Sequence, residues 1–375
     1  MSVRRWSEAR GPKTRDGAAP REMSSNPQDR PVTLRDIAER VGVTPTAVSS
    51  ALSGNGRVSA GMVARVRAVA DELGYVPAAA GRTLRKRRSN TIAVVVPQSP
   101  EHVYGHNYFM RLLLGVTSVA VERDIQVIVA TSASDKRGIA AYDRVVRSGS
   151  ADGLIVTSAA IGDPNLERLV AGSLPVVLVG NYPDVSKTPM ISVDGVRSSR
   201  EITDHLIDLH HINDLVHVTG PLGHREAVDR RDGFWASVDA HGLRATSLVI
   251  EGDFSESAGY SAIRQLRSST RTSAGRLGIV FANDDMAVGG LAALHDLGVR
   301  VPDEVAIVGY DDFGLSRLTR PGITTVHVPA DAMGRQAAVK LLARLDRVPS
   351  PASTTFATHI VRRASCGCEP GSIET

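Results

Sequence analysis

The strongest constraint on the fold is an alternation of short apolar runs with helical segments after residue 90. Runs such as TIAVVV, GLIVTS, PVVLVG and VAIVGY are apolar almost throughout, as strands buried on both faces are. Helical periodicity falls between such runs, over residues 111–122, 196–209, 226–241, 255–267, 284–297 and 329–345. Because this alternation is typical of parallel sheets flanked by helices, the sequence predicts an α/β core. The number of units predicts two lobes.

Polar side chains follow several of these predicted strands. In open parallel sheets, ligands bind beyond the carboxyl ends of the strands. The sequence therefore predicts a polar ligand site at these strand ends. The candidates are Asn181, Asp194, Asn283, Asp284, Asp311 and Asp312.

A smaller helical unit is predicted over residues 32–76. Its first helix has apolar residues spaced i, i+3, i+4 and i+7, namely Leu34, Ile37, Ala38 and Val41. The helix ends are indicated by a Thr33–Asp36 capping box, Gly42, Thr44 with Pro45, Ser59 and Gly74. Two short helices joined by a tight glycine turn, with a third helix across them, form a helix-turn-helix. The polar face of the second helix favours DNA binding over an unrelated three-helix bundle.

The segments around these units are polar and basic. Residues 1–31 are rich in Arg, Pro and Gly and lack an apolar stretch, so we expect a disordered leader and no secretory signal. Residues 77–89 form a linker that contains the basic run RTLRKRR. Nowhere does an apolar run approach the ~20 residues of a membrane helix. We therefore expect a cytoplasmic protein.

The two cysteines, Cys366 and Cys368, lie in a C-x-C near the C-terminus. A structural metal site needs about four ligands, and the histidines at 205, 210, 211 and 217 lack the usual metal-ligand spacing. We therefore expect no metal site, surface positions for these histidines, and a flexible tail over residues 366–375. Low cysteine usage also fits a reducing compartment.

Several further motifs occur in a fixed order over about residues 32–365 and indicate a protein family. They are VTLRDIAERVGVTPTAVSSALSG with RVS, ELGYVP, RTL, DGLIV, LPVVLVGN, RRDGF, ANDDMAVGGLAALHDLGVRVPDEVAIVGYDD, PGITTV and IVRRAS. In this order and spacing the chain resembles the lactose/galactose repressor (LacI/GalR) family of bacterial transcription regulators.

The resemblance implies three parts: a DNA-binding headpiece over 32–76, a hinge helix over 77–89, and a two-lobed core over 90–365 like that of periplasmic sugar-binding proteins. Lobe 1 would comprise about 90–209 and 327–349, and lobe 2 about 211–326 and 354–365. A homodimer would bind a near-palindromic operator in double-stranded DNA. A small molecule in the cleft, expected to be a carbohydrate, would control that binding, so the chain is expected to be a repressor without enzymatic activity or cofactor.

The same resemblance implies which residues contact DNA. They are Thr33, Thr44, Pro45, Thr46, Ala47, Ser49, Ser50, Arg57, Arg82, Leu84 and Arg85. Leu84 would wedge between base steps in the minor groove. The family often has bulkier polar residues where Ala47 and Ser50 stand, and Pro45 offers only an apolar contact. The recognition helix is therefore expected to supply few hydrogen bonds.

For the effector, the resemblance implies Arg230, Phe254, Asn283 and Asp311. A guanidinium, an amide, a carboxylate and an aromatic face suit a polyhydroxylated ring, although a ribose-like or purine ligand would use the same groups. Structural roles are the alternative for two of them. Asp311 could cap a turn, and Asn283 could cap the helix that starts at Asp284.

Two other classes of protein are disfavoured. For a dinucleotide-binding enzyme, GNGRVS follows a helix rather than a strand and lacks the third glycine. The chain also has no G-x-S-x-G motif. A transport protein with the same core would need export, and the sequence has a headpiece instead of a signal peptide.

Overall fold

The computed structural model describes residues 32–53, 58–75, 88–132, 139–185, 187–268, 275–349 and 353–369. They form two units. We call the first the headpiece (residues 32–75) and the second the core (residues 88–369). Each is described separately below.

The headpiece is a bundle of three helices, α1 (Leu34–Val41), α2 (Pro45–Ser53) and α3 (Ala60–Glu72). Its centre is small and aliphatic, as the sequence pattern predicted. The buried residues are Ile37, Ala38, Val41, Val48, Ala51, Val66 and Ala70. The helix-turn-helix prediction is confirmed.

Local side-chain chemistry sets the turn between α1 and α2. Asp36 accepts a hydrogen bond from the Thr33 backbone N–H at 2.7 Å, at the start of α1. Gly42 ends α1 with φ +81°, a left-handed conformation that favours glycine. The Thr44 hydroxyl then accepts from the Ala47 N–H at 3.2 Å. These contacts fix where α2 begins and which of its residues face outward.

The core contains two six-stranded sheets. The strands of the first sheet are β1 (Thr91–Val96), β2 (Gln126–Thr131), β3 (Gly153–Thr157), β4 (Val176–Val179), β5 (Met190–Val193) and β11 (Thr354–Phe356). Their spatial order is β11-β5-β4-β3-β1-β2, and every pairing is parallel.

In the second sheet the strands are β6 (Asp214–Thr219), β7 (Ser247–Glu251), β8 (Leu277–Phe281), β9 (Val305–Asp311), β10 (Thr324–His327) and β12 (His359–Val361). Their order is β12-β10-β9-β8-β6-β7. The pairings are parallel, except that β12 runs antiparallel to β10. Two parallel sheets confirm the predicted α/β fold class.

Helices cover both sheets. They are α4 (Pro100–Gly105), α5 (Asn107–Glu122), α6 (Ile139–Ser148), α7 (Pro164–Val170), α8 (Gly195–Asp204), α9 (Arg225–Ala240), α10 (Glu256–Ser268), α11 (Asp284–Asp296) and α12 (Ala330–Leu345). A π-helical segment, His205–Leu209, continues α8. Short 3₁₀ turns lie at Pro183–Val185, Arg244–Thr246 and Ala364–Cys366.

Helices α5 and α12 pack with almost no space between their backbones. A Cβ atom at Gly115 would lie 1.9 Å from the Asp331 carbonyl oxygen, and one at Gly334 would lie 2.1 Å from that of Leu112. Both distances are far below van der Waals contact, so only glycine allows this approach. The close contact brings α12 back to the first sheet, late in the chain.

The structure corrects the expected boundary between the lobes. Residues 354–365 were assigned to lobe 2, but β11 pairs with β5 of the first sheet, with Thr354 opposite Ile191. The physical reason is the open edge of β5, whose unpaired backbone groups a three-residue strand can satisfy. Lobe 1 therefore includes Thr354–Phe356, whereas β12 belongs to lobe 2.

The expectation of surface histidines and a flexible tail is also wrong in part. His217 is fully buried, where it stacks on Phe234 at 5.2 Å between ring centroids. His205 is buried as well, and so is Cys366, which ends a 3₁₀ turn. Cys366 and Cys368 thus pack against the core. His211 is exposed, as expected.

Candidate functional site

The predicted DNA-reading residues of the headpiece lie along one side of α2. Thr44, Pro45 and Thr46 are exposed, while Ala47, Ser49 and Ser50 are half-buried. Thr33 is exposed at the start of α1. Val48 and Ala51, on the opposite side of α2, are buried in the bundle. The apolar face of α2 therefore anchors the helix, and its short polar side chains remain accessible.

The remaining predicted DNA contacts are Arg57, Arg82, Leu84 and Arg85. They lie outside the described residues, as do most of the linker and the leader. These four assignments stay predictions.

In the core, a cleft between the two lobes collects all four predicted effector residues. Arg230, Phe254, Asn283 and Asp311 line it together with Asn181 and Asp284, and it encloses about 980 Å³ of space, open solvent included. Asn181 comes from lobe 1, and the others come from lobe 2. Four of the residues predicted from the strand ends, Asn181, Asn283, Asp284 and Asp311, therefore line one cleft.

Two candidates from the same pattern have other roles. Asp194 caps α8 by accepting a hydrogen bond from the Arg197 N–H at 2.9 Å. Asp312 pairs with His327 at 3.0 Å and with Arg363 at 2.5 Å. Both carboxylates are already satisfied by protein groups.

Arg230 is the most constrained side chain of the cleft. Its side chain is only 11% exposed, and one guanidinium nitrogen lies 3.4 Å from an Asp311 carboxylate oxygen. Another donates to the Ala282 carbonyl at 2.5 Å. The guanidinium carbon lies 3.8 Å from the centroid of the Tyr310 ring. A guanidinium carries five N–H donors, so donors remain for a ligand after these two contacts.

Phe254 also lies near this guanidinium, with 5.8 Å between its ring centroid and the Arg230 guanidinium carbon. The backbone at Phe254 has φ +70°, which is unusual for an aromatic residue. Its carbonyl is held at 2.8 Å by the side-chain amide of Asn283. Asn283 thereby fixes the loop that places the aromatic ring.

Asn283 itself caps α11, as the structural alternative proposed, because its side-chain oxygen accepts from the Met286 N–H at 3.0 Å. The cap does not exclude ligand contact, since its amide nitrogen carries a second hydrogen. Asp311 ends β9 with φ +111°. Such strained backbone clusters at ligand clamps and active sites. Burial raises the pKa of Asp311 to about 8, and the nearby Arg230 opposes that shift.

Several cleft residues were missed by the sequence analysis. They are His102, His106, Tyr108, Thr157, Glu226, Asp229 and Asp285. Glu226 precedes Arg230 by four residues on α9, so the i, i+4 spacing that brings side chains to one helix face could have identified it. Burial raises the pKa of the Glu226 carboxyl. The histidines follow β1 without a recognisable motif.

Polar contacts join the two lobes across the cleft. His106 Nδ1 lies 2.8 Å from the Asp285 carboxylate. The Ser198 hydroxyl lies 2.6 Å from the Tyr310 hydroxyl, and the Gln98 amide lies 3.2 Å from the His224 ring. The cleft is therefore bounded on both sides by polar groups that a ligand or a lobe movement would rearrange.

A helix-turn-helix headpiece joined to a two-lobed core with a polar cleft defines a DNA-binding regulator with a ligand-binding core. The family description "Bacterial regulatory proteins, lacI family" matches residues 33–78, and "Periplasmic binding protein-like domain" matches residues 203–366. The HTH-type transcriptional regulator CelR of Thermobifida fusca is 31% identical over 342 residues, which cover 89% of this chain and 98% of that protein. The chain belongs to the lacI family of bacterial regulatory proteins. It is a DNA-binding transcriptional regulator, not an enzyme, as expected.

Solved structures show the same architecture. The CelR–cellobiose complex aligns with a TM-score of 0.66 at 28% identity and covers 90% of this chain and 100% of that one. The lac repressor dimer bound to operator and the anti-inducer ONPF aligns with a TM-score of 0.78 at 23% identity, over 90% and 99% of the two chains. Among the helices of the described residues, none has the length and apolar character needed to cross a membrane.

Proposed function

We propose that this protein is a repressor whose affinity for its operator is controlled by a carbohydrate bound in the cleft between the lobes. The observation that carries the proposal is the convergence of Arg230, Phe254, Asn283 and Asp311 on one cleft. A guanidinium and an amide donate hydrogen bonds, a carboxylate accepts them, and an aromatic ring covers the apolar face of a sugar ring. The similarity to the CelR–cellobiose complex supports a sugar.

A purine or ribose-like effector is the second candidate. The aromatic rings of Tyr310 and Phe254, both close to the Arg230 guanidinium, would suit a flat base as well as a sugar face. Asn283 and Asp311 could read the edge of such a base by paired hydrogen bonds. The two ligand classes are separated by a thermal-shift panel that contains cellobiose, ribose and the purine bases.

DNA binding is assigned to α2 and to the linker that follows the headpiece. The exposed residues at the start of α2 are Pro45 and Thr46, preceded by the exposed Thr44, and they offer few hydrogen-bond donors to base edges. Leu84 and the basic residues around it would then supply a larger share of operator binding, through a minor-groove wedge and phosphate contacts. The protein would act on chromosomal DNA in the cytoplasm.

We propose a homodimer and a near-palindromic operator. A single headpiece buries too little DNA surface for a tight specific complex, and a two-fold symmetric dimer reads two half-sites. The core exposes large apolar residues that a partner could cover, including Leu114 and Val121 on α5, which are 54% and 78% exposed. Light scattering at micromolar concentration tests this point, and a monomer that binds operator with full affinity would contradict it.

The experiment for the proposed function combines two measurements on the full-length protein. Genomic fragments are selected on the immobilised protein, and the strongest fragment is used in an anisotropy titration. The ligand that raises the melting temperature most is then added. We expect the ligand to change operator affinity at least tenfold. A ligand that saturates the cleft without changing operator affinity would refute the regulatory role of the cleft.

A further inference from the structure

Two imidazoles and two thiols lie close together at a site that is not part of the cleft lining and has no role in the proposed function. They are His205, His210, Cys366 and Cys368, and their ligand atoms all lie within 4.8 Å of one another. His205 and Cys366 are buried, and the other two are half-buried. The histidines are separated from the cysteines by about 160 residues, with 161 between His205 and Cys366. The fold, not a local motif, brings the four together.

Four of the distances between these atoms match those between the ligands of one tetrahedral ion. The sulfur of Cys366 lies 3.5 Å from His205 Nε2, and that of Cys368 lies 3.5 Å from His205 Nε2 and 3.3 Å from His210 Nε2. The two Nε2 atoms are 3.3 Å apart. In a tetrahedral zinc site, Zn–S bonds of about 2.3 Å and Zn–N bonds of about 2.0–2.1 Å place S and N about 3.5 Å apart and two N atoms about 3.4 Å apart.

The π-helical segment explains why the two imidazoles are neighbours. His205 begins the segment His205–Leu209, and His210 follows it directly. In an α-helix, residues at i and i+5 point in different directions, whereas the wider π turn, which closes over five residues, returns the chain to nearly the same face. Such π segments frequently occur at functional sites. The spacing that the sequence analysis rejected is therefore compatible with a metal.

A turn at a glycine explains why the two thiols are neighbours. Gly367 lies between the cysteines with φ +96°, a left-handed conformation that turns the chain and brings both sulfurs to one side. Arg276 holds this turn by donating to the Cys366 carbonyl at 2.8 Å and to the Pro302 carbonyl at 2.6 Å. The turn is thus anchored to lobe 2 by hydrogen bonds that leave the sulfurs available.

The surroundings suit metal ligands. The Thr324 hydroxyl lies 3.0 Å from the Cys366 sulfur, within hydrogen-bond distance. Both cysteines are free thiols. Two thiolates and a divalent cation make an electrically neutral cluster, which a buried site requires.

We propose that His205, His210, Cys366 and Cys368 form a structural site for a zinc ion. The ion would tie the C-terminal segment of the chain to the crossover that leads from α8 in lobe 1 to β6 in lobe 2. Four protein ligands fill the coordination shell of zinc, so the site has a structural and not a catalytic character. The expectation of no metal site, drawn from the sequence alone, is replaced by this proposal.

The test measures metal content and geometry in the full-length protein, purified under reducing conditions with ZnCl₂ and passed through a desalting column. We expect about one zinc per chain by elemental analysis. Replacement of zinc by CoCl₂ should give the visible bands of tetrahedral cobalt and a sulfur-to-cobalt charge-transfer band. Protein without zinc or cobalt bands, or with Cys366 and Cys368 joined in a disulfide after reducing purification, would overturn the site.

Variants assign the ligands. Cys368→Ser and His210→Asn should each weaken zinc binding more than the about 10- to 100-fold that loss of an outer-shell contact costs, and each should remove or shift the cobalt bands. His211→Asn is the matched control, because His211 is the next residue, is exposed and has φ +54°, which asparagine tolerates. It should retain one zinc. Equal zinc affinity in all three variants would place the metal elsewhere and refute the assignment.

Melting experiments with and without a chelator test whether the metal stabilises the folded protein. Circular dichroism of the parent with and without a chelator should show a lower melting temperature after chelation, since a ligand that binds only the folded state stabilises it. For Cys368→Ser, the chelator should produce no further change. A parent protein whose melting temperature is insensitive to both ZnCl₂ and chelator would contradict a structural role.

Discussion

Replacement of Arg230 is expected to separate effector binding from DNA binding. The guanidinium is buried in the core cleft, bonded to the Ala282 carbonyl at 2.5 Å and paired with Asp311 at 3.4 Å. Helix α2, which we propose reads DNA, is in the other unit of the chain. Arg230→Ala should therefore change the affinity for a ligand of the cleft and leave the affinity of the ligand-free protein for operator unchanged within about twofold, a difference of under ~0.5 kcal/mol.

The magnitude follows from the groups that Arg230 presents. A hydrogen bond to a charged group contributes about 1.5–3 kcal/mol, and each 1.4 kcal/mol is about tenfold in affinity. Loss of one such bond to the ligand corresponds to about 10- to 150-fold weaker binding. Loss of Arg230 would add to this effect, because it leaves the buried Asp311 carboxyl without a hydrogen-bond donor.

A double-mutant cycle distinguishes these two contributions. Asp311→Ala removes the group that accepts from Arg230, so Arg230→Ala in that background reports on the loss without the contact between the two side chains. Calorimetry with cellobiose, or with the strongest ligand of the thermal-shift panel, provides the dissociation constants. Arg231→Ala is the matched control, since Arg231 is the next residue of α9, pairs with Asp232 and does not line the cleft. Unchanged affinity in Arg230→Ala, or an equal loss in Arg231→Ala, would refute the assignment of the pocket.

Three further predictions concern the linker, the core and its pH dependence. Leu84→Ala should reduce the preference for operator over random DNA about tenfold, a loss of ~1.4 kcal/mol. Replacement of Arg85, Lys86, Arg87 and Arg88 by alanine should weaken binding to operator and to random DNA and flatten the salt dependence of both. Competition titrations at fixed salt measure the two affinities. An unchanged ratio of operator to random-DNA affinity in Leu84→Ala would mean that α2 alone reads the site. Gly334→Ala should destabilise the core by about 1–3 kcal/mol in denaturant titrations, because the added Cβ would lie 2.1 Å from the Leu112 carbonyl, whereas Gly105→Ala, with open space at its Cβ, should have little effect. Burial raises the pKa of Asp284 to about 7, so between about pH 4 and pH 7 the folded core holds a proton that the unfolded chain has lost. The free energy of unfolding should therefore fall as pH rises through this range. Asp284→Asn should flatten that part of the stability profile, and an unchanged profile would contradict the raised pKa of Asp284.

Part of the cleft lining could be predicted from the sequence. Asn283 follows β8 by two residues and Asp311 ends β9, and the carboxyl ends of parallel strands meet at one edge, so their convergence could be predicted. The headpiece was predictable for a related reason. Its helices begin and end at residues with strong local preferences, such as Gly42 and Thr44, whose hydrogen bonds the structure shows.

The features that were missed depend on contacts between distant segments. Strand β11 has only three residues, Thr354–Phe356, too few to show a period, and it is fixed by the open edge of β5. The proximity of His205 and His210 requires a π-helical segment, which the α-helical periodicity of the region does not reveal. A role for Cys366 and Cys368 can be inferred only because the fold places them next to those histidines.

The most direct test of the regulatory mechanism is an operator titration at increasing concentrations of the ligand that binds the cleft. Parent protein and Arg230→Ala are compared by fluorescence anisotropy at one salt concentration. We expect the ligand to change the operator affinity of the parent at least tenfold, in one direction, with a midpoint that shifts to higher ligand concentration in Arg230→Ala. Operator affinity that stays constant while calorimetry shows a saturated cleft would contradict the coupling between the cleft and DNA binding.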